Sequence, residues 1–339
     1  MELVSIQYLR AVAAMMVVFL HLHPQWERMG YANIWPDWMA GGVDIFFVIS
    51  GFIMWITTCR KPPSPLTFYY RRAVRIVPLY WLLSALVVAI MLLAPQVVQS
   101  SRFDAWHVVS SFFFIPTVSP SSGHFEPVLI PGWTLNYEMF FYLIFGAMLP
   151  LRERLRLGMT GLVLLILVVA RPLVGQPDSV FAFYTSSIML EFLLGMMLGY
   201  SWAHGGMRLG ARTGWLLLVV GTVAMMLLPY TPYELPRLVS LGIPATAIVA
   251  GALALERAGH VPEVRWLHRL GDVSYSLYLS HPLVLSAVSQ AWRRVVPAET
   301  PLPLMLLGFS LIAVLATIVG AFAVYRLLER PLIGVFRRG

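Results

Sequence analysis

Apolar runs separated by short polar or basic intervals succeed one another along the whole chain. Runs near the ~20 residues that carry a helix across a bilayer fall at 6–22, 38–58, 74–95, 132–151, 158–175, 181–202, 213–230, 237–255, 271–290 and 303–327. The pattern predicts an all-α, polytopic integral membrane protein of about ten transmembrane helices. No internal repeat, low-complexity tract or linker to a soluble region interrupts it. A single transmembrane domain over 1–339, without a soluble accessory domain, is therefore expected.

Composition agrees with that pattern. Apolar residues make up 59% of the chain and charged ones 12%, where a soluble domain carries about 25%. Mean hydropathy is +0.76. The net charge of +8 reads as topology. Arg28, Arg102, Arg171, Arg237, Arg293 and Arg294 fall in one set of loops, and Arg10 lies within the first span. Every other Lys and Arg of the 24 falls in the opposite set. By the positive-inside rule the richer set faces the cytoplasm, so both termini are expected there. The basic residues are dispersed and accompany no nucleic-acid motif, so a nucleic-acid partner is not expected. The first apolar run has no basic leader and no small-residue cleavage site, which makes it a retained helix. The single cysteine, Cys59, excludes an internal disulfide.

Candidate chemistry lies in the ionisable residues inside these spans. Each is expensive in hydrocarbon and so a functional candidate. Arg10 cannot shed its proton and must find an anion, a carbonyl or a water-filled cavity. Eleven residues on, His21 lies about 20° from the same face and ~16 Å along the helix. Small residues, Ala11 and Ala14, flank the stripe near Arg10. This suggests a lined channel more than a local ion pair. Asp44 sits between Gly41 and Gly51, where a neighbour or ligand can approach the backbone. Thr134, Glu138 and Tyr142 form a polar stripe at i, i+4 steps on an aromatic helix. Arg72 and Arg75 lie one turn apart at the predicted start of the third span, beside Pro78. Two guanidinium forks near a helix N-terminus suit phosphates. Asp272 and Glu191 are expected to be structural. His21 and His23 point to different sides of a helix, so no metal site is expected. Neither a G-x-S-x-G elbow nor a His-x₄-Asp layout is present.

Five stretches, "SIQYLRAVAAMMVVFLH", "GGVDIFFVISGF", "YRRAVRIVPLYW", "GWTLNYE" and "GDVSYSLYLSHP", resemble in order and spacing the motifs of the membrane-bound acyltransferase-3 family. More narrowly they resemble its exopolysaccharide O-acetyltransferase branch. The resemblance covers nearly the whole chain, to the closing "ERP". It implies a bacterial inner-membrane enzyme that takes an acyl group from cytoplasmic acyl-CoA and passes it to a polysaccharide or lipid-linked oligosaccharide hydroxyl. Acetyl-CoA is the implied co-substrate.

Residue by residue, the resemblance places the family's arginine and histidine on Arg10 and His21, its acid on Asp44 and its R-x-x-R on Arg72 and Arg75. Its W-S-L-x-x-E motif falls on Trp133 to Glu138, with Thr134 replacing serine. The implied roles are His21 as base, Asp44 or Glu138 as the carboxylate steadying it, and Arg10 or Trp133 as oxyanion donor. Arg72 and Arg75 would hold CoA phosphates, while Trp133, Thr134 and His281 would contact substrate. The outer segment 96–131, with its aromatics, is the expected place for sugar recognition.

Plainer readings stand beside these. His21 can be an interfacial histidine, Arg10 can snorkel or pair with Asp44, and the Arg pair can serve topology alone. A proton-coupled transporter would use the same His, Asp, Glu and Arg residues, although the repeat common in transporters is not visible. A scaffold subunit of a polysaccharide-synthesis assembly, or a homo-oligomer, is also compatible with the sequence.

Overall fold

A computed structural model describes residues 3–31, 35–94, 103–207, 209–297 and 299–337. Arg102, Arg208 and Arg338, counted in the charge asymmetry above, and residues 96–102 of the outer segment lie outside the described residues. Among the described residues the regular elements are helices, and one isolated β-bridge joins Val118 to Phe125.

From the N-terminus run α1 (Val4–Leu20), the short α2 (His23–Glu27), α3 (Gly41–Thr58) and α4 (Pro65–Leu93). The segment beyond α4 holds α5 (Ala105–Phe112), followed by α6 (Gly132–Met148), α7 (Glu153–Val169), the short α8 (Val180–Tyr184) and α9 (Met189–Ala203). The remainder forms α10 (Ala211–Leu227), α11 (Ile243–Arg257), α12 (Arg265–Asp272), α13 (Ser274–Val295), α14 (Leu302–Val324) and α15 (Arg330–Arg337). Among the described residues, seven stretches are long and apolar enough to cross a membrane, those containing α1, α3, α4, α9, α10, α11 and α14. The other three expected spans correspond to α6, α7 and α13. With 17 residues each, α6 and α7 measure ~26 Å, slightly under the ~30 Å hydrocarbon core. Ser274, Ser276, Ser280, His281 and Ser289 make α13 polar as well as buried.

Helix α3 is the hub, packing against α1, α6, α9 and α11. Glycine makes this possible: a Cβ on Gly51 would stand 2.0 Å from the Phe192 carbonyl oxygen, and one on Gly195 2.0 Å from that of Val48. The backbones of α3 and α9 therefore touch, as the glycines beside Asp44 suggested. Gly51→Val must push the two backbones apart, at a cost of ~1–3 kcal/mol or more. The variant is expected to extract from membranes as an aggregated or low-yield species in size-exclusion chromatography; a monodisperse peak at wild-type yield would contradict this contact.

One boundary differs from expectation. The third span was placed at 74–95, whereas α4 begins nine residues earlier, capped by Ser64 Oγ accepting from the Thr67 amide at 3.3 Å, with Pro65 at the first position. Arg72 and Arg75 thus lie ~10 and ~15 Å into the helix, away from its free N–H groups. Pro78 is interior. Two π-helical turns, Leu238–Gly242 and Tyr325–Glu329, interrupt otherwise regular helices. The first begins directly after Arg237, and the second ends at Glu329.

Candidate active site

A cavity of about 250 Å³ opens among α1, α3, α4, α6 and α13. It answers the question that Arg10 poses. Arg10 projects into it from α1, Arg72 and Arg75 from α4, and Thr134 and Glu138 from α6. The rest of the wall is apolar or hydroxylic, with Phe46, Ile53, Ser50, Tyr142, Tyr275 and Tyr278. Three guanidinium groups converge on a space with a single lining carboxylate, so the site favours an anion. Arg10 donates to Gln7 Oε1 at 3.2 Å.

The arginines are not equivalent. Arg75 donates to Glu329 Oε1 at 2.5 Å, and Ser276 Oγ donates to the other oxygen of that carboxylate at 2.5 Å. The guanidinium of Arg75 also stands 5.6 Å from the Tyr275 ring centre. Arg72 lies 5.7 Å over the Phe68 ring, and its Nε is buried without a hydrogen-bond partner. Truncating Arg75 strands Glu329, whose side chain is 1% exposed, and should cost ~1–3 kcal/mol. Arg72→Ala is expected to leave the melting temperature of the extracted protein near wild type, while Arg75→Ala lowers it by several degrees. Equal melting temperatures would remove the structural distinction between them.

Glu138 is held on one side of the cavity. Its Oε1 accepts from Ser50 Oγ at 2.8 Å and from the Tyr142 hydroxyl, which lies 3.2 Å from Ser50 Oγ. Thr134 Oγ1 donates to the Pro131 carbonyl at 3.0 Å and lies 2.9 Å from the Tyr278 hydroxyl, fixing one end of the cavity. Trp133 is outside the cavity lining and packs edge-on to Tyr137 at 6.0 Å.

His21 caps the far end of α1. Its Nδ1 is 2.8 Å from the Val17 carbonyl oxygen. A carbonyl only accepts, so Nδ1 carries the proton and Nε2 the lone pair. The His281 ring stands edge to face with it, centres 4.8 Å apart. Between Arg10 and His21, Ala14 and Val18 are fully buried against Leu270, Val273 and Leu277. The α1 stripe is therefore covered, and what links the cavity to the histidines is α13, where Tyr278 lines the cavity and its carbonyl oxygen lies 2.7 Å from His281 Nδ1.

Asp44 lies elsewhere. Arg237 donates to it through both Nε (3.1 Å) and Nη2 (2.7 Å). The pairing of Asp44 with Arg10 that the sequence left open is not formed: Arg237, beside its π-helical turn, offers a bidentate fork in the geometry that a carboxylate favours. Glu191, 0% exposed, joins this cluster from α9. Neither Asp44 nor Glu138 has a hydrogen bond to His21, whose ring nitrogen is oriented by a backbone carbonyl instead.

Several site residues escaped the sequence reading. Ser50 and Tyr278 lie inside the motif stretches but carry no sequence signal that sets them apart. Glu329 lies in the closing "ERP", where its position near the C-terminus gave no hint of Arg75. Arg237 looked like a loop charge. Among the described residues no group of three or more His, Cys, Asp or Glu side chains could hold a metal ion.

The comparisons with known proteins fit this site. The acyltransferase-3 profile, described as an acyltransferase domain, matches residues 3–326. The exopolysaccharide production protein ExoZ of Rhizobium meliloti is 38% identical over 304 residues, covering 88% of this chain and 90% of its own. The peptidoglycan O-acetyltransferase OatA of Listeria monocytogenes is 23% identical over 97% of this chain, which spans 55% of the OatA length. No solved structure matches the chain. A profile match over nearly every residue, on a bundle of apolar helices around a basic cavity, makes this multi-pass membrane protein an acyltransferase that belongs to the acyltransferase-3 family.

Proposed function

We propose that the protein transfers an acyl group, most simply acetyl, from cytoplasmic acyl-CoA to a hydroxyl of an exopolysaccharide or its lipid-linked precursor. The cavity carries this reading: three arginines and one carboxylate around an otherwise apolar, hydroxyl-bearing space. The name of its relative ExoZ supports the choice of exopolysaccharide. In this account ten helices cross a bacterial inner membrane, α6, α7 and α13 included, and both termini face the cytoplasm, consistent with the loop charges. The cavity mouth with Arg72 and Arg75 then faces the cytoplasm, and His21 the outer side.

The volume is informative. A drug-sized ligand fills ~300–1,000 Å³, so a cavity of about 250 Å³ accommodates the slender arm of acyl-CoA and not its nucleotide. Phosphates stay at the mouth with Arg72 and Arg75. The thioester travels inward past Glu138 toward the Thr134–Tyr278 end. His281 is three residues beyond Tyr278, ~4.5 Å along α13, so the acyl carbon arrives within about a turn of the histidines.

The chemistry follows from the tautomer. His21 Nε2 accepts the proton of the acceptor hydroxyl as its oxygen attacks the thioester carbonyl. The C–S bond breaks, and the same proton passes from Nε2 to the thiolate. Arg10, ~16 Å from His21 along α1, draws the anionic donor into the cavity, while Tyr278 offers its hydroxyl to the carbonyl oxygen at the inner end. Thr134 then shapes the inner end, with Trp133 packed outside it against Tyr137, and Asp44 acts at a distance by fixing α3.

A single-cysteine form tests occupancy. In a protein carrying Ser50→Cys and Cys59→Ser, acetyl-CoA is expected to slow maleimide labelling at position 50 at least several-fold, and adding Arg72→Ala should weaken that protection. Labelling at one rate with and without millimolar acetyl-CoA would refute the donor site.

A further inference from the structure

The proposed reaction leaves a charge unanswered. When His21 takes the hydroxyl proton it becomes a cation in a largely buried place, and catalytic histidines of this kind are commonly steadied by a carboxylate. Here neither acid that the resemblance offers for that part serves it: Asp44 is bound to Arg237, and Glu138 to Ser50 and Tyr142. What stands against His21 is another imidazole. His281 is 0% exposed, its ring centre 4.8 Å from that of His21. Its Nδ1 lies 2.7 Å from the Tyr278 carbonyl and so must be the protonated nitrogen. The lone pair is left on Nε2, and Nε2 is buried without any hydrogen-bond partner.

An orphaned acceptor at full burial costs free energy and calls for an explanation. We propose that His281 is a positioning residue for His21: its Nε2 lone pair is the negative pole that stabilises the His21 imidazolium during acyl transfer, in place of a carboxylate. A neutral partner has a specific advantage in a membrane, since it adds no second buried charge in the resting enzyme. The placement also couples donor and acceptor sides. Tyr278, whose hydroxyl lies against Thr134 at the cavity end, holds His281 through its own carbonyl, so the element that receives the thioester also orients the second ring. The charged group that acts on His21 is Glu126, from the segment between α5 and α6. No net proton is exchanged with His281 in the cycle; the hydroxyl proton bonds to His21 Nε2 and ends on sulfur.

This inference rests on the acyl-transfer reading, and the test separates the two. Everted membrane vesicles holding native glycan are given radiolabelled acetyl-CoA with the wild type, His281→Leu or His281→Gln, at equal abundance and with equal size-exclusion profiles. Leucine matches the bulk but has no acceptor, whereas glutamine places a carbonyl oxygen near the position of Nε2. The expected result is a loss of ~30-fold or more in label transfer for His281→Leu, a part of the 10²–10⁴-fold that acid–base assistance supplies in full, with unchanged half-saturation by acetyl-CoA and recovery to at least a third of wild type in His281→Gln. Equal loss in both variants would assign His281 to packing, and near-wild-type transfer by His281→Leu would dismiss the role outright. Wild-type vesicles that transfer no acyl group overturn the underlying reading and this inference with it.

Discussion

Replacing His21 with alanine lowers acyl transfer by about 10²–10⁴-fold, the usual worth of a positioned general base. The same change leaves the fold largely intact. The imidazole ends α1 rather than filling its interior, and its one polar anchor is the Val17 carbonyl, which already accepts the amide of residue 21 at 3.1 Å. Loss of that side-chain bond costs ~1 kcal/mol. The expected observation is normal membrane abundance, normal protection of the cavity by acetyl-CoA and almost no product. If His21→Ala retained more than about a tenth of wild-type turnover, the base would have to be sought elsewhere.

Asp44→Ala is expected to fail in the opposite way. The Asp44 side chain is 0% exposed and that of Arg237 33%, and the pair ties α3 to the segment that opens α11, with Glu191 of α9 beside it. Removing one partner of such a pair costs up to ~3–5 kcal/mol, because the remaining charge loses its counter-ion in a poorly solvated place. Domain stabilities are only ~5–15 kcal/mol, so much of the folded protein should disappear. Thermal unfolding followed by size exclusion should show a large drop for Asp44→Ala and a similar one for Arg237→Ala. The double variant should be less damaged than the sum, because neither charge is then stranded. A stable but inactive Asp44→Ala protein would instead put Asp44 in the chemistry.

These contrasts show what a sequence of this kind discloses. Arg10, Arg72, Arg75, Thr134 and Glu138 were legible because polar groups are costly in hydrocarbon and stand out against it, and they meet in one cavity. Their partners were not legible. Arg237 lies 193 positions from Asp44, and Glu329 lies 254 from Arg75. Nothing in local periodicity joins such residues, and each sits at a π-helical turn that shifts the register of its helix face. The start of α4 was misread for a different reason. Its first turns, "PLTFYYRR", are too polar to register as membrane, although Ser64 and Pro65 announce a helix start by capping chemistry. His281 was visible as a motif residue, as was His21, but that the two are neighbours follows only from the packing of α13 against α1.

In the proposed reaction acyl groups leave acyl-CoA and reach a glycan hydroxyl by way of His21. Its most direct test is the label balance in everted vesicles loaded with native glycan and supplied with radiolabelled acetyl-CoA. Label is expected in the glycan with one CoA released per acetyl transferred, and neither in the His21→Ala variant. Wild-type vesicles that incorporate no label and release no CoA, across a panel of acyl-CoA donors, would contradict it, the more so if the same vesicles showed a proton flux dependent on His21.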